Sequence, residues 1–405
     1  MRPEDSPNVT MQPIEYDPFS EAVRRDPHAW YRRLRAEAPV YYIEGYDAWA
    51  LSRFQDVWDA SSDTVHYSTT RGTAPAQLLT KDQPAIPVLN LLDPPEHTAL
   101  RGSVRRSFLP RHVRDLETHA RALTRQLVDE YRERAELDVV REFGSRLSVT
   151  IACRAIGLPV EDGPQLTEWV QGFFTHDPDT GGMSAEGLAA LGELNSYCVD
   201  RIRERRRQLR GGDDPLERLA TFEFEGRRYS DEEAGAHIGM LVIGGSETFP
   251  KVLASAILRL AEYPQQRAAL REDPTLIPDA FDEVLRFDMP TQFLGRTVTK
   301  EHVLHGQTLR PGQPVLFLYA SANRDEREFE DPDRFDIRRQ PKRILSFGAG
   351  THQCIGRHIA RMEGRVSLEA LLPALGDYEV LHERAVRLHT EFVQGYGSLP
   401  VRFGS

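Results

Sequence analysis

The chain contains 405 residues, of which 40% are hydrophobic and 28% charged, an ordinary globular composition that excludes wholesale disorder. Its net charge of -11 repels phosphate and argues against nucleic acid as a partner. The three cysteines, Cys153, Cys198 and Cys354, do not form a disulfide framework or a zinc motif and fit a reducing compartment. Because no signal peptide and no run of 18 apolar residues is present, we expect a cytoplasmic protein without a membrane span.

Helical periodicity dominates the chain. Near the N-terminus, short strands are predicted at 40–43 and 48–51, followed by an irregular stretch over 62–92. Helices are then predicted at about 95–108, 113–134, 143–156 and 161–174. A long helix after the break at 177–182 ends near 211 with a basic stretch at 201–210. Further helices are predicted from 230 to about 260, around 281–288, and from 354. Strand signals return near the C-terminus. The pattern predicts one mainly α domain over 1–405 with a small β-rich annex.

A glycine-rich loop with the sequence FGAGTHQCIGR occupies 347–357 and leads into the last helix. Gly348 and Gly350 permit backbone angles that other residues avoid. Free N–H groups and the dipole at a helix start favour an anion, so we expect the pKa of the Cys354 thiol to be lowered toward the metal-ligating thiolate. His352 is placed to reach a second anion. The competing interpretation is an inert, buried cysteine.

This loop resembles the haem-binding loop of the cytochrome P450 family, F-x-x-G-x-H-x-C-x-G, at every fixed position, the last of which is Gly356. In that family a cysteine thiolate holds the haem iron. The resemblance implies that Cys354 is the metal ligand, that Phe347 packs beside it and that Gly350 makes the turn. It also implies that His352 meets a propionate of haem b, and that the chain has the cytochrome P450 fold.

A second segment, DPPEHTALR at 93–101, places His97 and Arg101 four residues apart on a predicted helix. By itself, such a pair is typical of a solvated helix face. The segment resembles one in bacterial family members that contacts the haem propionates. Arg296 stands at a third position that the family uses in the same way. The resemblance therefore implies that these cations bind the cofactor through charge-assisted hydrogen bonds.

Glu283 and Arg286 are three residues apart on another predicted helix, where the simplest interpretation is an exposed ion pair worth a few tenths of a kcal/mol. The downstream segment 322–336, which contains Ala-Asn-Arg-Asp and Pro-Asp-Arg-Phe-Asp, resembles the meander of the same family. The resemblance implies that Arg334 joins Glu283 and Arg286 in a buried cluster that supports the fold and takes no part in catalysis.

The apolar helix predicted from 230 contains GGSETF at 244–249. Adjacent glycines weaken a helix by ~1 kcal/mol each relative to alanine and otherwise indicate close helix packing. By resemblance, Glu247 and Thr248 feed protons to oxygen, and the glycines open a groove. The segment departs from the family pattern at Phe249, where a hydroxyl is usual. Since Pro250 has no N–H, we expect a kink or a bound water at the Ser246 carbonyl.

The resemblance implies a monooxygenase that uses O2 and single electrons from a separate ferredoxin or flavodoxin-type protein to hydroxylate or epoxidise its substrate. By the same resemblance the pocket is lined by parts of 62–92, 173–183, 240–244, the segment after 289 and 393–399, with Gly244, Phe249 and Phe293 among the lining residues. These stretches are mostly apolar, which favours a moderately sized hydrophobic substrate. Five cations lie near the propionate segment or just before the cysteine loop, and a basic docking face and scattered surface charges are both open for them: Arg105, Arg106, Arg111, Lys342 and Arg343.

Four other functions remain to be separated. Two are enzymes of the same fold: a peroxygenase, which the acid–alcohol pair Glu247–Thr248 argues against, and an oxidase that couples aromatic rings through C–C or C–O bonds, which Phe249 keeps open. The third is a non-enzymatic haem binder or sensor, which needs no proton relay. The fourth is a helical interaction protein without a cofactor, which would make the ordered set of motifs an accident.

Overall fold

Helices predominate in this computed structural model, which describes residues 13–79, 86–173, 184–390 and 392–404. The mainly α prediction is confirmed. The α-helices of these ranges are α1 Glu21–Arg25, α2 His28–Glu37, α3 Phe54–Ser62, α4 Pro75–Leu79, α5 Glu96–Val104, α6 Pro110–Arg132, α7 Ser145–Ile156, α8 Gly163–Phe173, α9 Ala185–Arg207, α10 Pro215–Ala220, α11 Asp231–Ser246, α12 Thr248–Glu262, α13 Pro264–Glu272, α14 Ile277–Phe287, α15 Tyr319–Ala322 and α16 Arg357–Leu375.

The strands are short and form small sheets. They are β1 Val40–Ile43, β2 Ala48–Leu51, β3 Tyr67–Ser68, β4 Glu136–Asp138, β5 Glu223–Phe224, β6 Arg227–Arg228, β7 Leu294–Val298, β8 His302–Leu304, β9 Gln307–Leu309, β10 Pro314–Phe317, β11 Tyr378–Val380, β12 Val386–His389, β13 Gln394–Ser398 and β14 Pro400–Phe403. The largest sheet has the order β1-β2-β10-β7-β3. In it, Val315 of β10 pairs with Arg296 of β7, which fixes the position of that arginine.

The helices α11 and α12 run through the largest buried cluster of the described residues. A capping box, in which Ser230 and Glu233 exchange hydrogen bonds, starts α11 as the sequence predicted. Side chains of α7 and α9 pack against α11, and α14 and α16 pack against α12. The stretch Asp231–Glu262 is apolar and long enough to cross a bilayer, but 78% of its most apolar window is buried inside the protein. This stretch is therefore a core element here.

Most predicted boundaries shift by a few residues. The prediction at 95–108 divides into α5 and a 3-10 turn, Arg105–Phe108. The helix predicted from 143 starts as a π-helix, Val139–Gly144, because the Asp138 carboxylate accepts the first free N–H groups. The basic end of α9 pairs with acids of its own chain, for example Arg203 with Asp231 at 3.0 Å. Ion pairs within the chain therefore hold this basic end of the helix.

Candidate functional site

The cysteine loop lies directly before α16, and its backbone closes on itself. The Cys354 N–H donates to the Phe347 carbonyl at 2.8 Å, so these two residues lie side by side as predicted. Gly350 has φ +68°, and a Cβ at this position would collide with the Ser61 carbonyl at the end of α3. Both the left-handed backbone and the close approach of α3 therefore demand glycine.

Cys354 lies three residues before α16, which starts at Arg357 and is preceded by Gly356 at the N-cap. Burial raises the pKa of the Cys354 thiol, and the N–H groups of Gly356 and Arg357 and the Arg101 guanidinium only oppose this rise. The predicted net lowering of its pKa is wrong for the chain by itself, because desolvation outweighs the helix start.

The three cysteines nevertheless differ in their surroundings. Cys354 is exposed by surface area although many protein atoms surround its sulfur, as expected of a side chain that faces a recess. Cys153 and Cys198 are buried in the apolar core, and burial raises the pKa of each thiol to about 12. Only Cys354 is therefore placed to meet a bound group.

Four basic side chains, two arginines and two histidines, from three parts of the chain converge beside this loop. They are His97 and Arg101 of α5, Arg296 of β7, and His352 of the loop itself. The ring centroids of His97 and His352 are 4.1 Å apart. The Arg101 guanidinium donates to the Gln353 carbonyl. Arg296 is buried and lowers the pKa of both histidines, which places its charge beside them. The structure thus brings together all the predicted cations of the cofactor site.

One acid, Asp93, lies near this group, and its negative charge opposes the lowering of the pKa of His97 and of Arg296. Neither Arg101 nor Arg296 forms an ion pair within the ranges that the structure describes. Both ring nitrogens of His97 are buried and make no hydrogen bond. Burial and then the nearby cations lower the pKa of His97 to about 4 and that of His352 to about 2. A group carrying two carboxylates, as haem does, fits this arrangement of donors and positive charge.

The two glycines of α11 lie on an otherwise buried helix, yet both are exposed. A Cβ added at Gly244 would meet no atom within 4 Å, whereas one at Gly245 would lie 3.0 Å from the Ala152 side chain of α7. Gly245 therefore allows close helix packing, and Gly244 borders open space as expected for a groove. Close helix packing, the first interpretation of the glycine pair, therefore applies to Gly245, and an open groove, the second, applies to Gly244.

The helix is interrupted at Glu247, between α11 and α12. Pro250 supplies no N–H, and the Ser148 hydroxyl of α7 donates to the Ser246 carbonyl at 3.1 Å instead. The predicted break is confirmed, and a side chain takes the place that we expected a water to fill. Ser148 was not foreseen, because nothing in the sequence indicates which α7 residue faces this carbonyl.

Glu247 and Thr248 lie at this break. Glu247 is buried and pairs with Lys251 four residues later. The Thr248 side chain is half-buried. Lys251 was not foreseen, although an acid and a lysine at i, i+4 in an apolar stretch are a recognisable signal.

The bulky residues assigned to the substrate pocket lie elsewhere. Phe249 is 4% exposed and packs near Phe281 of α14, with ring centroids 6.5 Å apart. Phe293 is 1% exposed and packs among apolar side chains that include Leu78 and Leu316. Their assignment to the pocket is wrong, because both fill the core and leave no surface to line a cavity. The pocket stretch 173–183 falls, beyond Phe173, outside the described residues.

The buried charge cluster forms with one change of member. Glu283 and Arg286 are fully buried and share two hydrogen bonds of 2.7 and 2.8 Å. The third side chain is Arg339, whose Nε donates to Glu283 at 3.1 Å. Arg334 was the wrong prediction: its side chain is 64% exposed and pairs with Asp336. It contributes only its carbonyl, which accepts from Arg339 at 2.8 Å.

The proposed docking cations differ in how firmly they are held. Arg343 forms an ion pair with Glu328 at 2.8 Å and lies over the Phe54 ring. Arg106 pairs with Asp213 at 3.4 Å. The side chains of three others are exposed, namely Arg105, Arg111 and Lys342.

Comparison with known proteins agrees with this architecture. The family model described as "Cytochrome P450" matches residues 166–387. "Putative cytochrome P450 123" of Mycobacterium tuberculosis is 36% identical over 98% of this chain and 97% of its own length. "Vitamin D(3) 25-hydroxylase" of Pseudonocardia autotrophica is 34% identical over 96% and 97%. A solved structure of a mutant of P450 EryK in complex with erythromycin B has a TM-score of 0.84 and 33% identity, and covers 95% of this chain and 97% of its own.

The fold and the site define a protein that holds an anionic cofactor between cationic side chains and a cysteine loop. The chain belongs to the cytochrome P450 family. Members of this family bind haem through a cysteine thiolate, and the chain is a cytochrome P450 monooxygenase.

Proposed function

We propose that the chain oxidises a moderately sized hydrophobic molecule, with haem b held by Cys354 and electrons supplied by a separate ferredoxin or flavodoxin-type protein. The observation that carries the proposal is the convergence of His97, Arg101 and Arg296 beside the cysteine loop, where neither arginine forms an ion pair with a described residue. Buried cations without a counter-ion are costly unless a ligand supplies one. Haem propionates have the required charge and number.

Each residue of the site has a distinct task in this proposal. Cys354 ligates the iron, and Arg101, Arg296 and His97 donate hydrogen bonds to the propionates, together with His352. Gly350 lets the loop pass α3, and Gly356 starts the helix behind the sulfur. When bound, haem supplies the redox chemistry that activates O2, while the protein supplies orientation, burial and protons.

The overall reaction consumes one substrate molecule, one O2, two electrons and two protons, and yields one oxygenated product and one water. The two protons must reach a buried site, and Glu247 and Thr248 are the titratable and hydroxyl groups at the break beside open Gly244. A positioned acid typically contributes on the order of 10²–10⁴ in rate. We assign the two side chains to proton delivery.

The substrate class follows from the lining and from relatives. The residues around Gly244, including Met240 and Ile243, are apolar and only partly buried, so an apolar ligand gains burial there. One relative is named as a vitamin D(3) hydroxylase, and one structural neighbour was solved with erythromycin B. These support a bulky, largely apolar molecule as the substrate of this chain.

Electron delivery uses a separate protein in this proposal. The exposed cations Arg105, Arg111 and Lys342 lie in sequence next to the propionate helix and the cysteine loop. A basic patch on a protein of net charge -11 favours an acidic partner through complementary charge. Reversing Arg105 and Arg111 to Glu should slow reduction by a ferredoxin, most strongly at low salt. Unchanged reduction rates would refute this docking face.

The central test is a carbon monoxide difference spectrum of the reduced protein and of Cys354→Ser. The wild type should give the spectrum of a thiolate-ligated haem, and C354S should lose it. Cys198→Ser, at a buried core thiol, is the matched control and should keep the wild-type spectrum. A C354S protein that retains the thiolate signature would refute the assignment. A substrate-induced change of the haem spectrum across a panel of apolar molecules then identifies the substrate class.

A further inference from the structure

Lys251 is a buried cation on the same helix face as the proposed proton donor. Its Nζ donates to the Glu247 carboxylate and, at 3.1 Å, to the Glu247 backbone carbonyl. Side-chain exposure is 9% for the lysine and 6% for the acid. Removing the lysine would leave the Glu247 carboxylate buried without this counter-ion, which is costly.

The hairpin formed by β12 and β13 confines the side chain of Lys251. Gly395 of β13 has φ +139°, and a Cβ there would lie 3.0–3.4 Å from the Cβ, Cγ and Cδ of Lys251. The strand therefore lies against the aliphatic stem, and β13 packs on α12 along this stretch. Because the stem is confined, the ammonium reaches back along the helix toward Glu247.

Because the Glu247 carboxylate pairs with Lys251, it is not bonded to Thr248, the other residue of the proposed proton relay. Glu247 lies at the break between the two helices, and its carboxylate accepts from Lys251, one turn further along α12. Both side chains are in the described range, and no hydrogen bond joins the Thr248 hydroxyl to the Glu247 carboxylate. The acid is thus held by the lysine in this arrangement.

We propose that Lys251 is a positioning residue for proton delivery, which holds the Glu247 carboxylate in place at the helix break. The inference rests on the proposed roles of Glu247 and Thr248. It adds a residue to them, because the charge of the ammonium, and not the packing of its stem, then determines whether the acid delivers protons in step with electron arrival. Protons that arrive out of step divert two electrons and two protons per O2 into hydrogen peroxide.

The first test measures the pair without turnover. In urea unfolding followed by circular dichroism, Lys251→Met should lower the folding equilibrium constant by about 100-fold or more, since it strands a buried carboxylate. Adding Glu247→Gln to that variant should recover at least about tenfold of the loss. Lys300→Met, at an exposed lysine between β7 and β8, is the matched control. K251M as stable as K300M would overturn the inference.

The second test measures the fraction of electrons lost as hydrogen peroxide in the haem-loaded enzyme with its substrate. K251M should raise this fraction about tenfold, less than the full effect of a missing proton donor. Lys251→Arg should restore coupling because it keeps the charge. E247Q combined with K251M should leak no more than E247Q alone. If K251M folds poorly, the comparison of E247Q/K251M with E247Q still decides the question.

The outcomes separate the two levels of the proposal. If E247Q and Thr248→Ala raise the peroxide fraction and K251M does not, the role of Lys251 is refuted, while proton delivery by Glu247 and Thr248 is supported. If K251R leaks as much as K251M, packing and not charge is responsible, which also overturns the inference. If E247Q and T248A leave coupling unchanged, the relay fails and the role of Lys251 fails with it.

Discussion

Two groups of arginines in this protein, each with one buried and one partly buried member, have opposite surroundings. Arg286 and Arg339 lie in a cluster where the chain supplies the counter-charge, because both donate to the buried carboxylate of Glu283. Arg101 and Arg296 lie beside the cysteine loop, where neither forms an ion pair with a described residue and Asp93 acts on Arg296 only through its charge. The first group is complete within the protein, and the second is complete only with an anionic ligand.

The contrast gives a way to tell structural from functional charge without knowing the family. A satisfied buried pair fixes two chain segments, here α14 and the meander, and is destabilised by loss of either partner. A group of cations without ion-pair partners lowers the stability of the ligand-free protein, and binding of an anionic ligand offsets this cost. The effects of mutation should therefore have different signatures at the two places.

The largest effect is expected at the satisfied cluster. Glu283→Gln removes the carboxylate that holds Arg286 and Arg339, and should lower the free energy of unfolding by roughly 3–5 kcal/mol. Urea denaturation measures it. Asp282→Asn, at the half-exposed neighbour that pairs with Arg361, should cost less than about 1 kcal/mol. Equal losses in the two variants would contradict the distinction between buried and surface pairs.

His237 sharpens the comparison as a buried group kept neutral. It accepts a hydrogen bond from the Leu89 N–H at 3.1 Å, and burial lowers its pKa to about 4. The unfolded state, with a pKa near 6.5, binds the proton first, so stability falls as pH drops from about 6.5 to about 4, by up to about 3 kcal/mol.

His237→Asn should reduce this loss over the same pH window, as followed by urea unfolding at several pH values. His305→Asn, at an exposed histidine paired with Asp56, is the control. A pH profile of H237N parallel to that of the wild type would show that His237 is not the group responsible.

Arg296 should behave in the opposite way from Glu283. Arg296→Leu should weaken haem binding by about 10–100-fold, the worth of one or two charge-assisted hydrogen bonds. The haem-free protein should be no less stable than the wild type, since the substitution removes a buried, unpaired charge. Haem titration and urea unfolding separate the two effects. Loss of stability without loss of haem affinity would place Arg296 in the structural class.

The smallest effect is expected at Arg334. Since its side chain is largely exposed and only its carbonyl serves the cluster, Arg334→Ala should change the free energy of unfolding by less than about 0.5 kcal/mol. Arg339→Ala should cost several times more. Similar losses for the two variants would restore Arg334 to the cluster.

Much of the site could be predicted because its signals are local. The glycines, histidine and cysteine of 347–357 and the i, i+4 pair His97–Arg101 are fixed by backbone geometry within one turn or one helix. The failures involve relations across the fold. Arg334 and Arg339 are both arginines of the same irregular segment, and only the path of its backbone decides which one reaches Glu283.

The pocket assignment of Phe249 was also wrong because it depended on packing between distant segments. Its place in the motif kept the coupling oxidase open, but the structure buries the ring near Phe281 of α14. The prediction of one domain over 1–405 stays a prediction.

The sequence by itself determined the family, the cofactor class and the helix break at Pro250, because motif spacing and a missing N–H are properties of the local chain. Only the tertiary structure decided which charges are satisfied. Ser148, Lys251 and Arg339 reach their partners across a helix break or between distant segments, and burial then sets what each contact is worth. In the sequence, the arginines near Cys354 cannot be distinguished from those near Glu283. Only the structure shows that the second group has a carboxylate partner and the first has none in an ion pair.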